Sequence, residues 1–237
     1  ASFARTLAEV IAIRPERLSI FNYAHLPHMF KTQRQIDEAR LPSAREKLAI
    51  LDDAIALLSL AGYEYIGMDH FALPQDELAR AQRAGTLHRN FQGYTTHAGC
   101  DLVALGASSI GMLEGAYSQN AKELDDYYAR VERGELAVVR GVRLDDDDRL
   151  RRAIIGRLIC AQDVDIAAVE AEYGIVFAEY FATALERLAG MADDGLIAIS
   201  PARIRVESRG RLFLRQICLA FDRYAPATGS QRFSRAI

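Results

Sequence analysis

With 237 residues, half of them hydrophobic, the chain is long enough for one large domain or two small ones with their own cores. A net charge of −3 gives it no general attraction for nucleic acid or an anionic membrane. No apolar run approaches the roughly 20 residues that cross a bilayer, and no basic segment leads into an apolar stretch and a cleavage site, so a soluble cytoplasmic protein is expected.

Phe3, Leu7, Val10 and Ile11 recur at helical spacing, so a helix opens the chain with no strand or turn ahead of it. With Ala1 in place of an initiator methionine, this is the beginning expected of a chain cut from a longer one. Leu18, Ile20 and Phe21 predict a strand over 17–23, followed by a proline-punctuated loop through His25, Pro27 and His28. Ser43 with Glu46 three residues later forms a capping box. It predicts a helix over 43–60 that buries Leu48, Leu51, Ile55 and Leu58 and ends at Gly62. A short strand over 63–68, a helix over 75–84 closed by Gly85, and a polar loop over 86–100 come next. The apolar run 101–107 predicts a buried strand, and 121–133 a helix. Alternating helices and strands imply parallel strands joined by crossovers, as in a TIM-like barrel. Three strands cannot close a barrel, so this sheet is expected to be the last part of a larger one.

After Gly134 the pattern turns helical. The four carboxylates at 145–148 suit a helix start better than a metal site, since consecutive helical residues point in different directions. Helices over 165–173 and 177–191, strands over 196–200 and 203–206, and a last helix over 208–224 predict a winged-helix-like bundle. The expected division is 1–137 for the part-barrel and 138–237 for the helical domain, with the boundary in the stretch 134–144. Winged helices often bind DNA, but Arg203, Arg205, Arg209, Arg211 and Arg215 are offset by many acids, and no helix concentrates a basic base-reading face. A structural or substrate-covering role is expected instead. Cys100, Cys160 and Cys218 lie too far apart for a metal or redox motif and read as reduced, semi-buried small hydrophobes.

Four segments are richer in polar and glycine residues than their surroundings require. They are Phe21-Asn22-Tyr23-Ala24-His25-Leu26-Pro27, Gly67-Met68-Asp69-His70-Phe71-Ala72, the stretch from His88 to Thr96, and Gly106-Ala107-Ser108-Ser109-Ile110-Gly111. In parallel α/β sheets ligands bind at the carboxyl ends of strands, where all four segments are expected, so one convergent site is predicted. Taken singly, His25 and His70 better suit loop histidines satisfied by backbone, Phe91 and Tyr94 core caps, and Gly106 and Gly111 turns, and only their joint placement points to a site. No Gly-x-Ser-x-Gly elbow, P-loop or His-Glu-x-x-His helix occurs. Composition and spacing alone therefore stop at an α/β protein with a small-molecule site.

The same segments carry a resemblance. Arg17-Leu18-Ser19-Ile20-Phe21-Asn22-Tyr23-Ala24-His25-Leu26-Pro27 and Gly62-Tyr63-Glu64-Tyr65-Ile66-Gly67-Met68-Asp69-His70-Phe71-Ala72 resemble blocks of the bacterial oxygen-independent coproporphyrinogen III oxidases. Leu87-His88-Arg89-Asn90-Phe91-Gln92-Gly93-Tyr94-Thr95-Thr96 is the most specific block, and Gln231-Arg232-Phe233-Ser234-Arg235 resembles the family's terminus. The resemblance implies a radical S-adenosylmethionine enzyme of haem biosynthesis. Its Cys-x-x-x-Cys-x-x-Cys segment binds a 4Fe-4S cluster, and a Gly-rich stretch and an acidic residue in its amino-terminal half hold S-adenosylmethionine. None of these is present in this sequence, so the chain is expected to be inactive alone and to bind no cluster.

The implied reaction uses a 5′-deoxyadenosyl radical to take a β-hydrogen from two propionates of coproporphyrinogen III in turn. Carbon dioxide and an electron leave, giving the vinyl groups of protoporphyrinogen IX. By carry-over, Ala24 and Ile110 match positions lining a second S-adenosylmethionine site, and Phe91 and Gln92 contact cofactor or substrate. Arg89 is the propionate partner, because guanidinium grips carboxylate bidentately, although a surface ion pair suits it too. Asn22, Tyr23, His25, Asp69 and His70 are site residues without an assigned role. The implied partners are coproporphyrinogen III and a missing amino-terminal half, in a monomeric parent that meets neither nucleic acid nor membrane. A haem-carrying paralogue of the same family and a non-enzymatic winged-helix binding module are the alternatives.

Overall fold

The computed structural model describes residues 2–225, so the Gln231–Arg235 stretch lies outside the described residues. Helix α1 (Ser2–Ile13) buries Leu7, and β1 (Arg17–Ser19) follows. Two short 3-10 turns, Lys31–Gln35 and Glu38–Arg40, shape the loop before α2 (Ala44–Leu60). Ser43 and Glu46 make both bonds of the expected capping box at the start of α2. Leu58 is fully buried and Leu48, Leu51 and Ile55 partly so, which bears out the predicted stripe.

Strands β2 (Glu64–Gly67) and β3 (His70–Ala72) then form a tight hairpin. The three strands pair in the order β1-β3-β2, every contact antiparallel. This corrects the expectation of parallel neighbours joined by helices. The two-residue turn at Met68 and Asp69 returns the chain at once, so β3 takes the hydrogen bonds that a crossover strand would have used. Helix α3 (Glu77–Ala84) ends on Gly85 in the left-handed conformation, as predicted.

The expected loop over 86–100 contains a hairpin, β4 (His88–Asn90) with β5 (Gly93–Thr95). The expected strand over 101–107 is absent. Only Leu102 bridges, to Met112, and Val103 and Leu105 are 65% and 82% exposed. The pairing it would have needed is taken by an antiparallel meander of β6 (Ile110–Leu113), β7 (Ala116–Asn120) and β8 (Val138–Arg143). Helix α4 (Leu124–Glu132) connects β7 to β8. Residues 138–143, expected at the start of the helical domain, thus pair with β7.

Helix α5 (Asp146–Ala161) opens on Asp145, whose side chain accepts from the Asp148 backbone N–H while the Asp148 carboxylate accepts from the Asp145 N–H. The acidic run is a helix start. Next come β9 (Asp163–Asp165), α6 (Ile166–Tyr173), α7 (Phe177–Tyr180) and α8 (Ala182–Asp193). The single helix expected over 177–191 is broken at Phe181, which turns into the core against Phe177 and Phe221. Strands β10 (Ile197–Ile199) and β11 (Arg203–Val206) join β9 in a three-stranded antiparallel sheet, order β10-β11-β9.

The last predicted helix is a 3-10 segment, Ser208–Phe213, followed by α9 (Leu214–Leu219). Gly210 lies so close to the Leu196 carbonyl that a Cβ would overlap it, and this close approach tightens the turn. The molecule is mixed α/β with no closed barrel among the described residues, and no helix of theirs is long and apolar enough to cross a membrane.

Candidate functional site

The hairpin turn between β2 and β3 builds the floor of the site. Gly67 has φ +149° and Met68 φ +52°, and a bulge separates Tyr65 from Gly67. Gly67 must be glycine here, since a Cβ would strike the Tyr94 hydroxyl. Because β1 pairs with β3 at Ser19 and His70, and the Ile20 N–H donates to the Asp69 carbonyl at 2.8 Å, residues 20–23 emerge beside the turn. Ser19 Oγ donates to Asp69 Oδ2 at 2.5 Å. His70 Nδ1 lies 3.3 Å from Asp69 Oδ1, within ion-pair distance but not aligned as a hydrogen bond. Burial pushes the Asp69 carboxyl up, but the contacts with His70 and Ser19 and the nearby Arg89 charge outweigh it and hold the group below its usual range.

The β4–β5 hairpin adds a wall. Arg89 pairs with Tyr94 across it, and the Gln92 N–H donates to Asn90 Oδ1 at 2.8 Å to close the turn. Tyr94 is buried, and its ring stacks edge-on with His70 at 5.2 Å. Arg89 sits 5.5 Å from the same ring and makes no ion pair among the described residues.

These elements meet α2, the 3-10 segment and α9 around a cleft of about 470 Å³. Asn22, Tyr23, Asp69 and Arg89 line it, so the structure gathers four of the predicted site residues. Phe21, Leu48, Leu51, Met68, Leu212 and Leu214 supply apolar walls. Lys47, Arg211, Arg215 and Gln216 also line it, none of them predicted. The available signal was Arg209, Arg211 and Arg215 in a stretch, 208–221, that contains no acid. A second cleft of about 670 Å³ shares Leu48, Arg211 and Leu212 with the first.

Other predicted residues stand apart. The His25 ring contacts the Tyr23 hydroxyl at 3.2 Å and Glu38 Oε1 at 3.0 Å. The Ala24 carbonyl accepts from Gln33 Nε2 at 3.1 Å. Ile110 pairs with Gln119 in the meander. Phe91 is 54% exposed, with its ring edge-on to Tyr117 at 5.0 Å. None of these, nor Gln92 or His70, lines the 470 Å³ cleft.

The thiols do not suit a shared metal cluster. Cys160 packs with Ile66 and Tyr94, and Cys218 lies in the core with Phe221. Burial pushes them up to about 11 and about 12, respectively, which disfavours the thiolate that ligates metal. Cys100 is exposed rather than semi-buried. Among the described residues no three His, Cys, Asp or Glu side chains converge as ligands. A 4Fe-4S cluster therefore does not fit these residues.

Fold and cleft together define an α/β unit with a cationic, partly apolar cleft. The family model described as the HemN C-terminal domain matches residues 144–213. The chain is 52% identical over 236 residues to the oxygen-independent coproporphyrinogen III oxidase of Pseudomonas aeruginosa, all of this chain aligning with 51% of that protein. It is 43% identical over 237 residues to the oxygen-independent coproporphyrinogen III oxidase of Thermostichus vulcanus, covering 73% of it. The solved structure of coproporphyrinogen III oxidase (HemN) from Escherichia coli, a radical SAM enzyme, superposes with a TM-score of 0.89 at 50% identity, over 94% of this chain and 51% of that one. The chain belongs to the oxygen-independent coproporphyrinogen III oxidase family, and it spans about half the length of the Pseudomonas and Escherichia relatives.

Proposed function

We propose that this chain is the carboxy-terminal, substrate-facing part of an oxygen-independent coproporphyrinogen III oxidase, an oxidoreductase of haem biosynthesis working in the cytoplasm. The observation that carries the reading is the cleft. Lys47, Arg89, Arg211 and Arg215 surround apolar walls, with Asp69 as the one carboxylate lining it. A porphyrinogen with four propionates is an apolar ring edged with carboxylates, and such a lining suits it. Arg89 takes one propionate, and Asn22, Tyr23 and Asp69 contact the bound molecule beside it. Phe91, Gln92, His25 and His70 are assigned to the rim, and Ala24 and Ile110 to an apolar wall against an adenosyl group.

Bound 4Fe-4S cluster and S-adenosylmethionine supply the radical chemistry. The three thiols here do not suit the cluster, so its ligands come from an amino-terminal polypeptide. This chain's part is to hold the propionates and exclude water. The reading includes a division after Arg143, the last barrel elements lying before it and a winged-helix-like domain after it. The helix–strand–helix–helix–strand–strand order of α5, β9, α6, α8, β10 and β11 supports that domain.

Joined to the cluster-bearing amino-terminal part of the Pseudomonas relative, the chain is expected to convert coproporphyrinogen III anaerobically to protoporphyrinogen IX. A fusion that holds its cluster and cleaves S-adenosylmethionine yet forms no product overturns the reading. The chain alone is expected to take up no iron–sulfur cluster on anaerobic reconstitution.

A further inference from the structure

Ten of the 24 arginines among the described residues are paired with acids. Arg17 meets Asp76 and Glu77, and Arg223 meets Asp145 and Asp147. Arg211 differs. Its Nη2 donates to the Tyr65 carbonyl at 2.8 Å, its Nε is buried without a partner, and no carboxylate of the described residues lies within ion-pair distance. The guanidinium carbon lies 4.6 Å from the centre of the Tyr65 ring, and this contact and the Nη2 bond hold the group in place while Nε keeps no protein partner. Burial holds its acidity above that of an ordinary arginine, the sign of a charge kept from water. Arg211 is partly buried, and a charge drawn from water without a counter-ion is destabilising unless an anion joins it. Arg211 also stands where the two clefts meet, lining both. Gln216, whose Oε1 is buried without a partner, lines the first.

We propose that Arg211 is the carboxylate anchor of this site. It binds one carboxylate of an apolar polycarboxylate through its guanidinium, with Arg215 and the Gln216 amide beside it and the ring lying along the two clefts that Arg211 lines. The anchor rests on the substrate-facing reading above for the identity of the ring, but not for the carboxylate.

Arginine modification by phenylglyoxal, mapped by peptide mass spectrometry on the wild-type chain, separates the two. Adipate serves as a small dicarboxylate, coproporphyrin III as the stable tetrapyrrole tetracarboxylate, its tetramethyl ester as the uncharged control, and chloride as the ionic-strength control. Modification of Arg211 is expected to slow about tenfold with either carboxylate at ten times its Kd and to be unchanged by chloride or the ester. Arg203 and Arg205, paired with Asp163 outside the cleft, are expected to react alike in all conditions. Protection by adipate but not by coproporphyrin III supports the anchor and removes the tetrapyrrole reading. No protection by either carboxylate, or equal protection by the ester, overturns the anchor. Arg211→Gln is expected to weaken coproporphyrin III binding on the order of tenfold or more, with Arg211→Lys intermediate. Wild-type labelling decides the matter if the variants do not fold.

Discussion

Residues 150–221 share one core in which Ile154, Leu158, Leu188, Ile204, Ile217 and Phe221 are wholly buried. Before residue 144 the chain forms two small clusters and several short sheets, and β8 is exposed along its whole length. Both regions pack helices against a sheet, but only the second joins its elements in one large cluster. Hairpins close hydrogen bonds locally without burying much, whereas a core needs faces brought together from distant parts of the chain. The cleft lies where the regions meet. Tyr65 and Arg211, 146 residues apart, join across it, and Cys160 of α5 packs among the residues around Tyr94.

The contrast can be broken by mutation. Phe221→Ala, at a fully buried position, is expected to cost about 3–5 kcal/mol by chemical denaturation. Gly210→Ala sets a Cβ against the Leu196 carbonyl and is expected to cost about 1–3 kcal/mol, unsettling the segment that carries Arg211. Equal stability of either variant and the wild type would refute the picture of a tightly packed second region. Ser43→Ala removes the capping box of α2 and should cost about 1 kcal/mol.

Asp69 gives a pH signature. Its folded carboxyl is held below the usual range, so the native state binds fewer protons than the unfolded chain and stability rises with pH in that window. The contribution is present above the ordinary aspartate value of about 3.9 and is lost as pH falls through the lower folded value. Asp69→Asn is expected to flatten the acid limb of a stability–pH curve, and an unchanged limb would show that the Ser19 and His70 contacts do not hold the group. The smallest effect belongs to Leu136→Ala, 84% exposed, expected within about 0.5 kcal/mol.

Much of the architecture was legible where the chain instructs itself locally. Ser43 and Glu46, Gly85 and the Asp145–Asp148 box mark helix ends through bonds to their own backbone. The blocks holding Asn22, Tyr23, Asp69 and Arg89 were recognisable as site segments. Strand pairing was not legible. The run 101–107 is apolar enough for a strand but gains only one bridge, since β6 and β7 satisfy each other first. Ala24 and Phe91 belong to the same recognised blocks as the cleft residues Asn22, Tyr23 and Arg89, and only their placement separates them.

By itself the sequence determined the helix caps, the glycine turns and the family blocks, because each rests on residues within a few positions of one another. The tertiary structure alone decided that β3 runs antiparallel between β1 and β2 and that the 3-10 turn carries Arg211 onto the face of Tyr65. Those outcomes depend on which distant surfaces compete for the same hydrogen bonds and the same buried space, and no short window of residues records that competition.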